Sequence, residues 1–148
     1  MSSANAQSDS IGIIAMAIIF SHSMLPLGDQ DPQKVSAVTV PYGALEIVLL
    51  PNTLSQKAQI GKQAFEVNCA SCLGKNAAGL GGVAQPLVRA IYEPGHHGNE
   101  SFQRAAAVGV RARHWPFGDM PAVEGVAGGN IKMVTAYIRE LQRANGTY

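Results

Sequence analysis

Gly61-Lys62-Gln63-Ala64-Phe65-Glu66-Val67-Asn68-Cys69-Ala70-Ser71-Cys72-Leu73 carries both cysteines of this 148-residue chain, and the rest is best arranged around it. Upstream of the pair, Ser55 or Asn52 can cap a helix running from about Gln56 to Cys69, with Ile60 and Phe65 on its apolar stripe and Gly61 between them. The Cys-x-x-Cys spacing of Cys69 and Cys72 then sets two thiols about one helical turn apart on one face. Two cysteines make no disulfide framework. A close pair points to a covalently held cofactor, a metal, a redox dithiol or one small local disulfide.

The spacing suits two thioether bonds to one haem when histidine follows the second cysteine. Here Leu73 follows, and a leucine side chain has no lone pair with which to ligate iron. A thioredoxin-like dithiol lacks its βαβ surroundings, because the downstream sequence is loop rather than strand. Copper is the minor alternative, resting on the soft set Cys69, Cys72, His114 and Met120.

Composition bounds the remaining readings. Hydrophobic residues make up 47% and charged residues 14%, which suits one ordinary domain joined to a membrane segment. The formal net charge of +1 supplies no field for nucleic acid, so no nucleic-acid partner is expected. Residues 11–27 form the one long apolar run, at the short end of what spans a bilayer. No Lys or Arg precedes it and no small-x-small cleavage site follows, so a retained anchor over residues 1–28 is expected rather than a cleaved leader. His22 within it reads as an ordinary hydrogen-bonded histidine. Residues 29–55 read as a linker holding a short β-hairpin, Val35 to Val40 and Ala44 to Leu50, about the turn Pro41-Tyr42-Gly43.

The third segment, residues 56–148, reads as mostly α with long loops. Residues 74 to 94 are rich in Gly and Ala, with Pro86-Leu87 inside. The Gly79-Leu80-Gly81-Gly82 cluster is no phosphate loop, since no strand precedes it and no Lys-Ser/Thr follows. Ser101 can cap a helix to about Val110 with Phe102, Ala105, Ala106 and Val108 or Gly109 inward. After the loop His114-Trp115-Pro116-Phe117-Gly118-Asp119-Met120-Pro121 comes the clearest element. Asn130 caps an amphipathic helix with Ile131, Val134, Tyr137, Ile138 and Leu141 on one face, and Gly146 ends it. Arg104, Arg111, Arg113 and Arg139 read as solvated residues or a docking face for an acidic partner, and His96, His97 and His114 as loop histidines.

Helix, Cys-x-x-Cys, Gly/Pro loop, short helix, Met-Pro loop and terminal helix, in that order, resemble a class I c-type cytochrome, with residues 58 to 145 covering such a domain. The segments 91–98 and 114–121 look like a bacterial, periplasmic branch of it. The resemblance implies a cytochrome c-like fold in which Gly61, Phe65 and Tyr137 mark the crossing of the first and last helices. It implies haem c on Cys69 and Cys72, Met120 as the distal iron ligand, and Pro86-Leu87 as the loop whose carbonyl orients a proximal histidine. The function it implies is one-electron transfer without catalysis. The carrier would be single-pass in the bacterial inner membrane, its domain in the periplasm, beside a larger membrane redox complex or small redox protein. Leu73 opens the contrary expectation of a haem-free, redox-inactive docking subunit with Leu73 filling part of the pocket. A third expectation, ranked last, is small-ligand or peroxide chemistry at an open iron position.

Overall fold

The computed structural model describes residues 36–37, 43–113 and 115–148; the expected anchor at 1–28, His22 and His114 lie outside them. The fold is mostly helical with little strand. No helix of the described residues is long and apolar enough to cross a membrane.

Two strands, β1 (Ser36–Ala37) and β2 (Leu49–Leu50), pair antiparallel with Ser36 opposite Leu50 and Ala37 opposite Leu49. The expected pairing of the two runs is therefore present, and on the second run it is confined to Leu49–Leu50. The reason is competition for backbone groups. The N–H groups of Leu45 and Glu46 both donate to the carbonyl of Ala78, and Gly81 N–H donates to the carbonyl of Gly43. Residues 43–46 are thus spent on the loop after the cysteines. What pairing remains at β2 is completed by a side chain: the Asn145 amide accepts from Leu49 N–H and donates to Leu49 C=O, both at 2.9 Å. An amide presents the same donor and acceptor as a strand edge.

Helix α1 (Gln56–Asn68) starts at Ser55, whose hydroxyl accepts from Ala58 N–H. One turn of helix, α2 (Ala70–Leu73), follows directly, with Cys69 between the two. A 3-10 turn at Lys75–Ala77 and another at Ala90–Tyr92 punctuate the long loop. Helix α3 (Asn99–Val108) has Gly98 as its N-cap, three residues before the Ser101 cap that its sequence suggested, and Val108, expected inward, is exposed. Helix α4 (Gly128–Ala144) begins at Ala127 without a side-chain cap, so Asn130 lies inside the first turn. Its far end is closed by two backbone bonds, Thr147 N–H to Gln142 C=O and Gly146 N–H to Arg143 C=O, around Gly146 at φ +76°. That paired closure is the Schellman arrangement, and glycine adopts the left-handed conformation without a Cβ clash.

The core forms where α1 crosses α4. Ile131, Val134, Tyr137, Ile138 and Leu141 are all buried along one face of α4, as their spacing predicted. At the crossing Gly61 lies so close to Met133 that a Cβ there would sit 1.9 Å from the Met133 carbonyl oxygen. Phe65 and Tyr137 fill the space beside it with ring centroids 5.7 Å apart and tilted by 60°, a favoured aromatic arrangement.

Tyr137 also reaches across to the cysteine side of the fold. Its hydroxyl donates to Asn76 Oδ1 at 3.0 Å, and Asn76 and Ala77 both hold positive φ, 55° and 58°. Two consecutive non-glycine residues in the left-handed region cost about 1–3 kcal/mol each. The Tyr137 phenol therefore pins the strained turn that follows α2. Burial first, and the Glu66 carboxylate second, push the phenol well above its ordinary range. In the unfolded chain the same phenol ionises near its ordinary value of 10.0. Above that pH the unfolded state binds fewer protons than the folded one, so stability falls as pH rises. Tyr137→Phe should destabilise the fold by about 1–3 kcal/mol at neutral pH, because it strands a buried amide oxygen. It should also flatten the alkaline decline of the denaturation midpoint, which a urea series at several pH values reads directly.

Candidate functional site

Cys69 ends α1 and opens α2 at once. Its N–H donates to Phe65 C=O, while its own carbonyl accepts from Leu73 N–H at 2.9 Å and from Cys72 N–H at 3.2 Å. The tight turn so formed aims Cys69, Cys72 and Leu73 at one space. Gly74 then leaves α2 at φ +75° with room for no side chain, since a Cβ would lie 2.3 Å from the Gly79 carbonyl oxygen. The two sulfurs are not joined in a disulfide; Cys69 is half-buried and Cys72 exposed. Burial, reinforced by neighbouring Cys72, raises the Cys69 thiol above its ordinary range.

The opposite wall is the loop between α3 and α4. Met120 is fixed by a reciprocal backbone pair, Val110 N–H to Met120 C=O at 2.9 Å and Met120 N–H to Val110 C=O at 2.8 Å. Gly109, at φ +75°, lets this pair close, because a Cβ there would meet the Met120 carbonyl oxygen at 2.4 Å. Within the loop Asp119 accepts from Ala112 N–H and the Trp115 indole donates to Gly118 C=O. The methionine is thus held by its backbone, with Pro121 directly after it.

Between these walls lies a cavity of about 1160 Å³, bordered by Cys69, Cys72, Leu73, Phe102, Met120 and Ile138 among others. Ligand sites commonly measure roughly 300–1,000 Å³, so this one suits a large group. All three expected site residues, Cys69, Cys72 and Met120, meet here, although 48 positions separate Cys72 from Met120. Leu73 borders the cavity and packs against the core, but one leucine side chain does not fill it.

Arginines divide in two. Arg104, Arg111 and Arg113 border the cavity and are exposed. Arg139, read from the sequence as a surface residue, is only 7% exposed. It donates to the carbonyls of Tyr92 and His97, to Asn99 Oδ1 and to Gln142 Oε1, and its guanidinium lies 4.9 Å from the centre of the Phe102 ring. Gln142 adds bonds from its amide nitrogen to the carbonyls of Leu87 and Tyr92. Burial, then repulsion from Arg143, lowers the Arg139 guanidinium from its usual range. Together Arg139 and Gln142 fasten the loop 87–98, one cavity wall, to α4. The sequence held a signal for this: Thr135, Arg139 and Gln142 form a polar row at helical spacing beside the apolar stripe.

The His96 and His97 rings lie 4.9 Å apart and tilted by 49°, with His96 exposed and His97 bordering the cavity. The Nδ1 of His97 bonds the carbonyl of Ile91. No group of three His, Cys, Asp or Glu that could hold a bare metal ion occurs among the described residues. A haem is a different requirement. Cys69 and Cys72 would supply its two thioether bonds and Met120 a sulfur ligand, and Phe102, Val134 and Ile138 would give it apolar contact. Leu73, which follows the second cysteine, offers no donor for a further bond to the iron. Comparisons with family models, with curated proteins and with solved structures find no match to this chain.

Proposed function

We propose that this chain is a membrane-tethered, cytochrome c-like carrier of single electrons holding one haem c. The observation that carries the reading is the common cavity bordered by Cys69, Cys72 and Met120. In this reading both cysteines tether the group as thioethers, and Met120 supplies a sulfur ligand of the kind that favours the reduced ion. Phe102, Ile138 and Leu73 keep water from its faces, and the cofactor supplies the one-electron chemistry. The apolar run 11–27 supports an anchor in the bacterial inner membrane with the domain in the periplasm. A membrane redox complex or small redox protein would be the partner there.

Leu73 favours a second reading, a haem-free docking subunit derived from such a carrier, since it removes an axial bond. A redox titration of the purified full chain followed by absorption separates the two. The first reading requires one reversible, one-electron wave with a Soret band. A chain that shows neither band nor wave belongs to the second.

A further inference from the structure

Two stretches that the fold joins carry almost no charge. From Val35 to Gln56 the one charged residue is Glu46, and from Asn76 to Val88 there is none. Gly81 N–H donates to Gly43 C=O at 2.8 Å, and the N–H groups of Leu45 and Glu46 both donate to Ala78 C=O at 3.1 Å. Leu80 and Ala84 close the second loop through a reciprocal backbone pair at 2.9 and 3.0 Å. The Leu45 side chain lies against Gly81, where an added Cβ would stand 3.8 Å from it. So braced, the two loops hold three aliphatic side chains in water: Ile47 is 60% exposed, Val83 43% and Leu45 39%. Glu46 does not interrupt their apolar character, because Arg89 Nε donates to its carboxylate at 2.8 Å. An exposed aliphatic cluster on a charge-poor face marks a contact surface.

Resting on the membrane anchor of the reading above, we propose that Leu45, Ile47 and Val83 form a face that lies on a lipid surface, with these side chains at the boundary of headgroups and acyl chains. What selects lipid is where the tether enters the domain. β1 (Ser36–Ala37) pairs with β2 (Leu49–Leu50), so the chain arrives beside the strand that begins two residues after Ile47. Only nine residue steps separate Leu27, the end of the apolar run, from Ser36, which is about 30 Å of fully extended chain. A tether that short keeps the face at high effective concentration above the bilayer, where even a small apolar patch adsorbs. A second copy would have to offset its lost translational freedom with the same small patch. A strongly charged partner protein finds no complementary charge on it. The contact would fix the domain in one orientation on the membrane instead of leaving it to swing on its linker.

The test reconstitutes the full chain in phosphatidylcholine vesicles whose acyl chains carry a diazirine, illuminates them, and maps lipid adducts by peptide mass. Adducts on 43–50 and 80–88, in addition to 11–27, support the proposal. Their loss from the two loops alone when Ile47→Asp and Val83→Asp are combined supports it further, and their persistence there overturns it. Both changes fall at exposed positions, and the parent's map decides by itself if the double variant fails to fold. Adducts confined to 11–27 overturn the proposal and leave the anchor intact. Loops free of lipid in a chain that sediments as a dimer, and as a monomer in Ile47→Asp, overturn it in favour of a second copy. A map with no adduct on 11–27 overturns the anchor itself, and this inference with it.

Discussion

Gly61→Ala is expected to destabilise the domain by about 3 kcal/mol or more, at the upper end of what overpacking a close contact costs. The added methyl would lie 1.9 Å from the carbonyl oxygen of Met133 and 2.9 Å from the backbone nitrogen of Val134. Both are backbone atoms of α4, which no rotamer change can move. The helices must part, and the Phe65–Tyr137 pair, the Tyr137–Asn76 bond and the apolar face of α4 all depend on their approach. Alanine is the better helix former by roughly 1 kcal/mol, so the local propensity gain opposes the loss and does not cancel it. A denaturant midpoint well below the parent's checks this, and an unchanged midpoint would show that α1 and α4 do not cross at Gly61.

Arg139→Met is the second large effect, expected at about 3–5 kcal/mol, the range seen when one member of a buried charged network is removed. Methionine keeps much of the apolar stem but none of the donors. The His97 carbonyl and Asn99 Oδ1 then lose their Arg139 bonds, while Tyr92 C=O keeps its bond from Gln142. Arg139→Lys should recover only part of the loss, since an ammonium cannot span that set of acceptors in the guanidinium's fork geometry. The effect should reach the cavity as well as the stability, because loop 87–98 forms one of its walls. Hydrogen exchange is the direct readout: faster exchange confined to 87–98 in the lysine variant, with α1 still protected, is the expected pattern.

These two residues also show what the sequence could and could not tell. Gly61 was legible because a small residue beside an aromatic on an apolar stripe has one common use, the close approach of two helices. The α4 face was legible for a similar reason, since five apolar residues at helical spacing bury together whatever the loops do. Arg139 was misread, because a charged residue on a helix is ordinarily solvated and nothing local announces the carbonyls that surround it. Those carbonyls come from a loop some 40 residues earlier in the chain, whose backbone has no ladder of its own to satisfy it. The hairpin was overread in the same way: residues 44–48 have strand character, but the Ala78 and Gly43 backbone bonds claim their partners first. At the candidate site the spacing of Cys69 and Cys72 was readable, while their meeting with Met120 depended on the loop pair Val110–Met120, which leaves no periodic trace.

Leu73 remains the residue on which the functional account turns, and it leaves the covalent question open to a direct answer. Intact mass of the purified full chain, followed by fragmentation across Cys69–Cys72, tests the central claim. The account predicts the chain mass plus one haem, with the added mass confined to that peptide and lost when Cys69→Ser and Cys72→Ser are combined. An unmodified mass from a host that attaches haem to other chains would contradict it.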